Sequence, residues 1–213
     1  MGRLLRPAKP SKSSLLASLA VVALLVAAIL DTTFLDPEGA ADLSAPIFSP
    51  AAFVDEEFPG IRDAMIENAV DISELAPAID DDLEAAGERY GVSLGSGRYV
   101  FQIRASGSVE SVDDDFIELS IPDAPDVDVR IPLGSALTGT PVRDATGEIR
   151  FGDFPDQTAY QSVANEFGLR MRNEVLGDLG SEELEGRQVT VVGAWTSGPP
   201  VFIIQPVAIE VAS

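Results

Sequence analysis

The sequence predicts an α+β fold in which helices precede a sheet and one further helix interrupts it. Three observations predict this fold: an unbroken weakly polar or apolar run over residues 13–30, a helical period up to about residue 96, and a two-residue period beyond it. At 213 residues, with 46% hydrophobic and 23% charged side chains, the chain can bury one core of ordinary size. We therefore expect a small helical hairpin over 59–96 and a sheet domain over 97–213.

The N-terminal region predicts a membrane anchor. The tail of residues 1–12 is basic, and its charges are Arg3, Arg6, Lys9 and Lys12. Residues 13–30 follow without a charge and make a helix of about 27 Å, close to the thickness of the bilayer hydrocarbon. Because basic residues precede this run and acidic residues follow it, the N-terminus is expected in the cytoplasm and the rest of the chain outside.

A cleaved secretory signal is the alternative interpretation of this run. Such signals have an apolar stretch of about 7–15 residues and a cleavage site of small residues. The run over 13–30 is longer, and Ala40 and Ala45 are poor cleavage positions. We therefore expect an uncleaved single-pass anchor in the cell membrane.

Charge and composition exclude several functional classes. The chain has 14 basic and 35 acidic side chains, a formal net charge of −21, no Cys and no His. The lack of Cys excludes thiol catalysis and thiolate zinc sites, and the lack of His removes the commonest general base and metal ligand. A strongly acidic domain repels phosphate backbones, so no nucleic-acid partner is expected. The sequence predicts no cofactor and no metal site.

The helical period follows a linker over residues 31–58 that is rich in Pro, Ala and acidic residues. Pro59 suits the first turn of a helix, and Ser73 is the expected N-cap of a second helix that ends at Gly91. The pair is predicted to form the hairpin over 59–96.

Alternating hydrophobicity then predicts three strands, a helix and two strands over residues 97–213. The first strand is long, and Gly107 is expected to mark a bulge or bend in it. The helix covers residues 156–176, where apolar side chains recur at i, i+3, i+4 and i+7. A five-strand Greek-key barrel with a helix between strands three and four, the OB-fold, has this order. A split α+β sheet is the alternative.

Several motifs of this region occur together in one known family. The first block is Gly139-Thr140-Pro141-Val142-Arg143-Asp144-Ala145, followed by Ile149, Phe151, Asp153, Phe154, Gln157 and Tyr160. The second is Leu184-x-Gly186, Val189-x-Val191-x-Gly193-Ala194 and Pro206-Val207-x-Ile209-Glu210. Over residues 58–211 the chain resembles a family of bacterial predicted periplasmic lipoproteins without an assigned function, domain of unknown function 2291.

The resemblance carries two implications about partners and anchoring. Members of the family are often encoded near sugar-uptake ABC transporter genes, which implies a transporter component or a solute-binding protein as the partner. The family is typically anchored through a lipidated cysteine, and this chain has no cysteine. Anchoring is therefore expected to fall to residues 13–30.

A Gly- and Pro-rich segment over residues 139–157 is the candidate binding site. It holds five polar side chains close together in sequence: Thr140, Arg143, Asp144, Asp153 and Gln157. Arg143 can bind a carboxylate or hydroxyl-bearing ligand through two hydrogen bonds, with Asp144 or Asp153 orienting its guanidinium group. The alternative is structural. In it, Arg143 and Asp153 pair to pin the loop across the barrel, and Asp153 or Asp156 caps the following helix.

No catalytic residue is predicted. Residues 91–95 match the G-x-S-x-G sequence motif of serine hydrolases, but the chain has no His to activate the serine, so the match does not indicate a nucleophile. The leading hypothesis is a non-catalytic, membrane-anchored extracytoplasmic domain that binds a partner protein or small ligand, as an accessory to a sugar-uptake transporter. The alternatives are a purely structural envelope protein and a carboxylate-based hydrolase. The hydrolase requires an open cleft where Arg143 and at least two carboxylates converge.

Overall fold

The structure is a computed structural model that describes residues 48–179 and 184–212. The predicted tail over 1–12, the predicted anchor over 13–30 and the linker up to residue 47 lie outside these ranges. Among the described residues, no helix is both long enough and apolar enough to cross a membrane.

Helix α1 (Pro50–Asn68) begins at Pro50 rather than at Pro59, so the last part of the predicted linker is helical. The Ser49 side chain caps it by accepting a hydrogen bond from the Ala52 amide at 3.3 Å. One face is buried along its whole length, through Val54, Phe58, Ile61 and Met65. The linker prediction over residues 50–58 was wrong because burial of this continuous apolar face outweighs the cost of a proline inside the helix.

The second predicted helix is in fact two, α2 (Ile72–Asp81) and α3 (Leu83–Tyr90). Asp82 separates them in an extended conformation, and its carboxylate accepts hydrogen bonds from the amides of Glu84 and Ala85 at 2.9 and 3.1 Å. Asp71 caps α2 in place of Ser73, accepting from the Ser73 amide at 2.9 Å. An aspartate that binds backbone amides competes with helix continuation, which explains the break.

Within the described ranges, eight strands form one sheet. They are β1 (Val70–Asp71), β2 (Gly91–Gly95), β3 (Arg98–Val112), β4 (Phe116–Ser120), β5 (Val129–Pro132), β6 (Gln188–Thr196), β7 (Phe202–Ile203) and β8 (Gln205–Val211). The order is β7-β5-β4-β3-β6-β8, and β1 and β2 also pair with β3. The predicted helix end at Gly91 is confirmed, because α3 ends at Tyr90 with Gly91 as its C-cap. Residues 91–95 of the predicted hairpin instead form a strand antiparallel to β3.

The sheet curls so that its two outer strands belong to one stretch of chain. Strand β7 pairs in parallel with β5, β8 pairs antiparallel with β6, and only Ile204 separates β7 from β8. The Ile204 amide donates to the carbonyl of Arg130 on β5 at 2.9 Å. Trp195 of β6 packs on Phe202 of β7, with ring centroids 4.5 Å apart, and its indole N–H donates to the Val201 carbonyl at 3.1 Å.

Gly107 serves close packing in β3 and does not mark a bulge there. The register with β6 continues past Gly107 to Ser108, and the irregularity falls between Val109 and Ser111, opposite β4. A Cβ atom on Gly107 would lie 2.2 Å from the carbonyl oxygen of Ser120. Glycine is therefore required where the end of β4 crosses close to β3.

Two further helices follow β5: α4 (Thr140–Asp144), within the segment predicted as loop, and α5 (Gln157–Arg170). A π-helical turn, Met171–Leu176, continues α5, so the helix predicted over 156–176 is confirmed. The Asp156 carboxylate caps α5 by accepting from the Ala159 amide at 2.8 Å. Alternate side chains of β3 enter two hydrophobic cores, Phe101 with α2 and Val100 with α1 and α5.

We predict that Gly107→Ala lowers the free energy of unfolding by about 1–3 kcal/mol, because the added methyl group forces β3 and β4 apart. Urea denaturation of the two proteins measures the difference. Gly60→Ala in α1 is the matched control, since a Cβ atom there has no neighbour within 4 Å. That variant is expected to gain about 0.5–1 kcal/mol through helix propensity. Equal stability of Gly107→Ala and the unmodified chain would contradict the packing argument.

Candidate functional site

Arg143 and Asp144 form a buried ion pair at the end of α4. Their side chains are adjacent in the chain, and the residues are 6% and 9% exposed. Arg143 Nε donates to Oδ1 of Asp144 at 2.7 Å, and Nη2 donates to Oδ2 at 3.0 Å. This two-point contact is the strong geometry for a guanidinium and a carboxylate, and here it is made to Asp144 and not to Asp153.

Tyr160 of α5 completes the cluster. Arg143 Nη1 donates to the Tyr160 carbonyl at 3.2 Å, and the guanidinium carbon lies 3.6 Å from the centre of the tyrosine ring. The Tyr160 hydroxyl donates to Oδ1 of Asp144 at 3.1 Å. All three guanidinium nitrogens therefore donate to protein groups, and the cluster joins α4 to α5.

Burial raises the pKa of the Tyr160 phenol above its ordinary value, and the negative charge of Asp144 raises it further. The nearby positive charge of Arg143 opposes this shift. Tyr160 therefore stays neutral at physiological pH and acts as a hydrogen-bond donor to the carboxylate.

The other three predicted site residues lie on the surface. Asp153 is exposed in a 3-10 turn, Phe151–Asp153, where its carboxylate accepts from the Arg150 amide at 3.0 Å. Thr140 and Gln157 are exposed at the first positions of α4 and α5. In the part of the chain that the structure describes, no side-chain hydrogen bond or ion pair joins these three to Arg143 or Asp144.

This arrangement does not provide the open cleft that a hydrolase at the Arg143 loop requires. Arg143 is enclosed with one carboxylate, and each of its three nitrogens already donates a hydrogen bond within the protein. The geometry is closer to the structural alternative, in which Arg143 pairs with an aspartate to hold the segment in place. The aspartate that pairs with Arg143 is Asp144 and not Asp153. Asp156, one of the two expected capping residues, caps α5.

A second group of polar side chains lies on the face formed by β4 and β5, which we call the β4–β5 face. Arg130 stands directly opposite Glu118 in the strand register. Its Nε and Nη2 donate to the two carboxylate oxygens of Asp128 at 3.0 Å each, and its Nε lies 3.4 Å from Oε1 of Glu118. The Ser111 hydroxyl donates to the other Glu118 oxygen at 2.8 Å.

The β4–β5 face borders a cavity of about 280 Å³, whose lining also includes Glu110, Ser120 and Asp126. The Arg130, Glu118 and Asp128 side chains are 34%, 36% and 44% exposed, so a ligand can reach them. Hydrogen bonds to Asp128 raise the pKa of Arg130 still further above its ordinary value. This site has no local pattern in the sequence, because only the strand register places Glu118 beside Arg130.

The described residues offer no group of three or more acidic side chains arranged to hold a metal ion. On the β4–β5 face, one guanidinium and several carboxylates provide hydrogen bonding and charge pairing.

A family model described as "Predicted periplasmic lipoprotein (DUF2291)" matches residues 19–210 of the chain. The chain belongs to this family. The family membership that the motifs indicated is thereby confirmed. The word "periplasmic" in the family description agrees with the expected extracytoplasmic location. No curated protein matches the chain.

A solved structure supports the fold of this family member. The crystal structure of an OB-fold protein from Thermotoga maritima is similar to it with a TM-score of 0.65 and 19% sequence identity. The match covers 78% of this chain and 99% of that one. The likeness shows the OB-fold, as the order of strands and helix predicted.

We predict that Asp144→Asn lowers the free energy of unfolding by about 3–5 kcal/mol, because it leaves the buried Arg143 charge without a carboxylate. Chemical denaturation measures the loss. Asp63→Asn is the control, since the Asp63 side chain is 77% exposed and lies 4.0 Å from Arg62. A change within about 0.5 kcal/mol is expected there. Similar losses in both variants would contradict a special role for the Arg143–Asp144 pair.

The raised pKa of Tyr160 predicts a stability change at high pH. The folded state favours the neutral phenol, so this contribution is complete below the unfolded-state pKa of about 10 and is lost as pH rises through the folded-state value. The melting temperature of the unmodified chain should therefore fall more steeply above pH 10 than that of Tyr160→Phe. Parallel pH profiles for the two proteins would contradict the raised pKa of Tyr160. Tyr90, whose pKa is also raised, is present in both proteins and therefore contributes equally to both profiles.

Proposed function

We propose that this chain is a non-catalytic binding domain that residues 13–30 anchor in the cell membrane, with the domain outside the cytoplasm. The observation that carries the proposal is the half-exposed network of Arg130, Asp128 and Glu118 on the β4–β5 face. The family description supports the extracytoplasmic placement, and the charge pattern around residues 13–30 supports the anchor.

The framework we propose for binding is a five-segment barrel, in which β7 and β8 act as one strand interrupted at Ile204. The ring of pairings through β3, β4, β5, β7–β8 and β6 supports it. OB-folds bind oligonucleotides and oligosaccharides on the face of their second and third strands, which correspond here to β4 and β5.

The chemistry of this face favours a hydroxyl-rich ligand over a nucleic acid. Its carboxylates repel phosphate groups, whereas carboxylate oxygens accept hydrogen bonds from hydroxyl groups and the guanidinium donates to them. We therefore infer a saccharide, or a partner protein that presents hydroxyl and basic groups, as the occupant of the β4–β5 face.

The biological role we propose is that of an accessory to a sugar-uptake ABC transporter. The partner would be a transporter component or a solute-binding protein, both of which present or carry saccharides outside the cytoplasm. Support comes from the family resemblance together with the polar character of the β4–β5 face.

The test is affinity capture of the full chain from mildly solubilised membranes. The unmodified protein is expected to recover a transporter subunit or a solute-binding protein. Glu118→Gln should reduce that recovery severalfold, because it removes a charge that Arg130 and a ligand both contact.

Glu88→Gln, at an exposed position of α3, is the matched control and should recover the partner normally. Recovery of nothing above background would contradict the accessory role. Equal recovery by Glu118→Gln and Glu88→Gln would contradict the assignment to the β4–β5 face.

A further inference from the structure

A second cavity, separate from the β4–β5 face, lies between α5 and the segment that leads into α4. It has a volume of about 390 Å³, larger than the 280 Å³ cavity at Arg130 and within the usual range for small-molecule sites. We call it the α5 cavity. Thr140, one of the residues that the sequence singles out, lines it.

Two glycines bring the segment and the helix into contact beside this cavity. A Cβ atom on Gly139 would lie 1.9 Å from the carbonyl oxygen of Ala164, and one on Gly168 would lie 3.4 Å from the Gly139 amide nitrogen. Backbone therefore packs on backbone at this point, and the walls of the cavity are held at a fixed separation.

The lining of the α5 cavity combines an apolar part with a few polar groups and contains no carboxylate. Leu137 and Leu169 supply the apolar part, while Thr140, Asn165 and Arg172 supply hydrogen-bonding groups. The chain has 35 acidic and 14 basic side chains, yet the lining of this cavity holds one arginine and no acidic side chain.

Arg172 is held in place without being neutralised. Its Nη2 donates to the Gly134 carbonyl at 2.7 Å, and across the described ranges it forms no ion pair. By contrast, Arg130, Arg143 and Arg170 each contact a carboxylate. Arg172 lies in the π-helical turn Met171–Leu176, a type of irregularity that is frequent at functional sites.

We propose that the α5 cavity binds a small organic carboxylate that carries hydroxyl groups. The free donors of Arg172 bind the carboxylate, Thr140 and Asn165 bind hydroxyl groups, and the carbon chain rests on Leu137 and Leu169. This inference does not depend on the role proposed for the β4–β5 face, and either can fail alone.

The test is calorimetric titration of the full chain in detergent with lactate, gluconate and glucuronate. At least one of these is expected to bind, whereas glucose, glucosamine and inorganic phosphate should bind at least about tenfold more weakly. Absence of binding by all three carboxylates would overturn the proposal. Equal binding of glucose or phosphate would overturn the carboxylate assignment.

Two variants distinguish binding in the α5 cavity from binding elsewhere on the surface. Arg172→Gln keeps hydrogen-bond donors but removes the charge, and should weaken carboxylate binding by about tenfold or more. Arg98→Gln makes the same charge change at an exposed position of β3 and should leave binding unchanged.

Leu169→Trp provides an independent check, since Leu169 is 46% exposed and the larger ring fills the cavity from its rim without disturbing the core. It should abolish binding while the melting temperature stays near that of the unmodified chain. Binding that survives both Arg172→Gln and Leu169→Trp would overturn the assignment to the α5 cavity.

Discussion

Strand β3 is the constraint on which the rest of the domain depends, because it is covered on both faces and paired along both edges. It hydrogen-bonds to β1, β2, β4 and β6. Its alternate residues enter different cores, so Phe101 packs with α2 while Val100 packs with α1 and α5. A shift of one residue in its register would exchange these two sets of side chains, and the register is thereby fixed.

The Arg143 cluster shows how a polar motif can hold a fold together. Leaving a buried guanidinium unpaired is costly, and here a carboxylate, a carbonyl and an aromatic ring surround it. These partners come from α4 and α5, so the cluster fixes the approach of these two helices. The Arg143–Asp144 part of a conspicuous family motif is then explained by packing, while Thr140 of the same motif lines the α5 cavity.

Much of the fold was predictable from the sequence, since the alternation in β3 and the apolar stripe of α5 are local signals. The start of α1 was not, because Pro59 suggests a beginning and only the burial of Val54 and Phe58 reveals an earlier one. The two sites were harder to predict from the sequence. Glu118 and Arg130 meet through strand register, and the walls of the α5 cavity come from two separate segments, residues 137–140 and 165–172. Such contacts between distant residues leave no local pattern.

The packing of Trp195 against Phe202 has a practical consequence for studies of this domain. The chain has one tryptophan, and its ring spans β6 and β7, two strands that are not hydrogen-bonded neighbours in the sheet order. Separation of β7 from β6 would expose the indole to water and shift its fluorescence to longer wavelength. Intrinsic emission therefore reports opening of the curled sheet directly, with no introduced label and no competing signal from another indole.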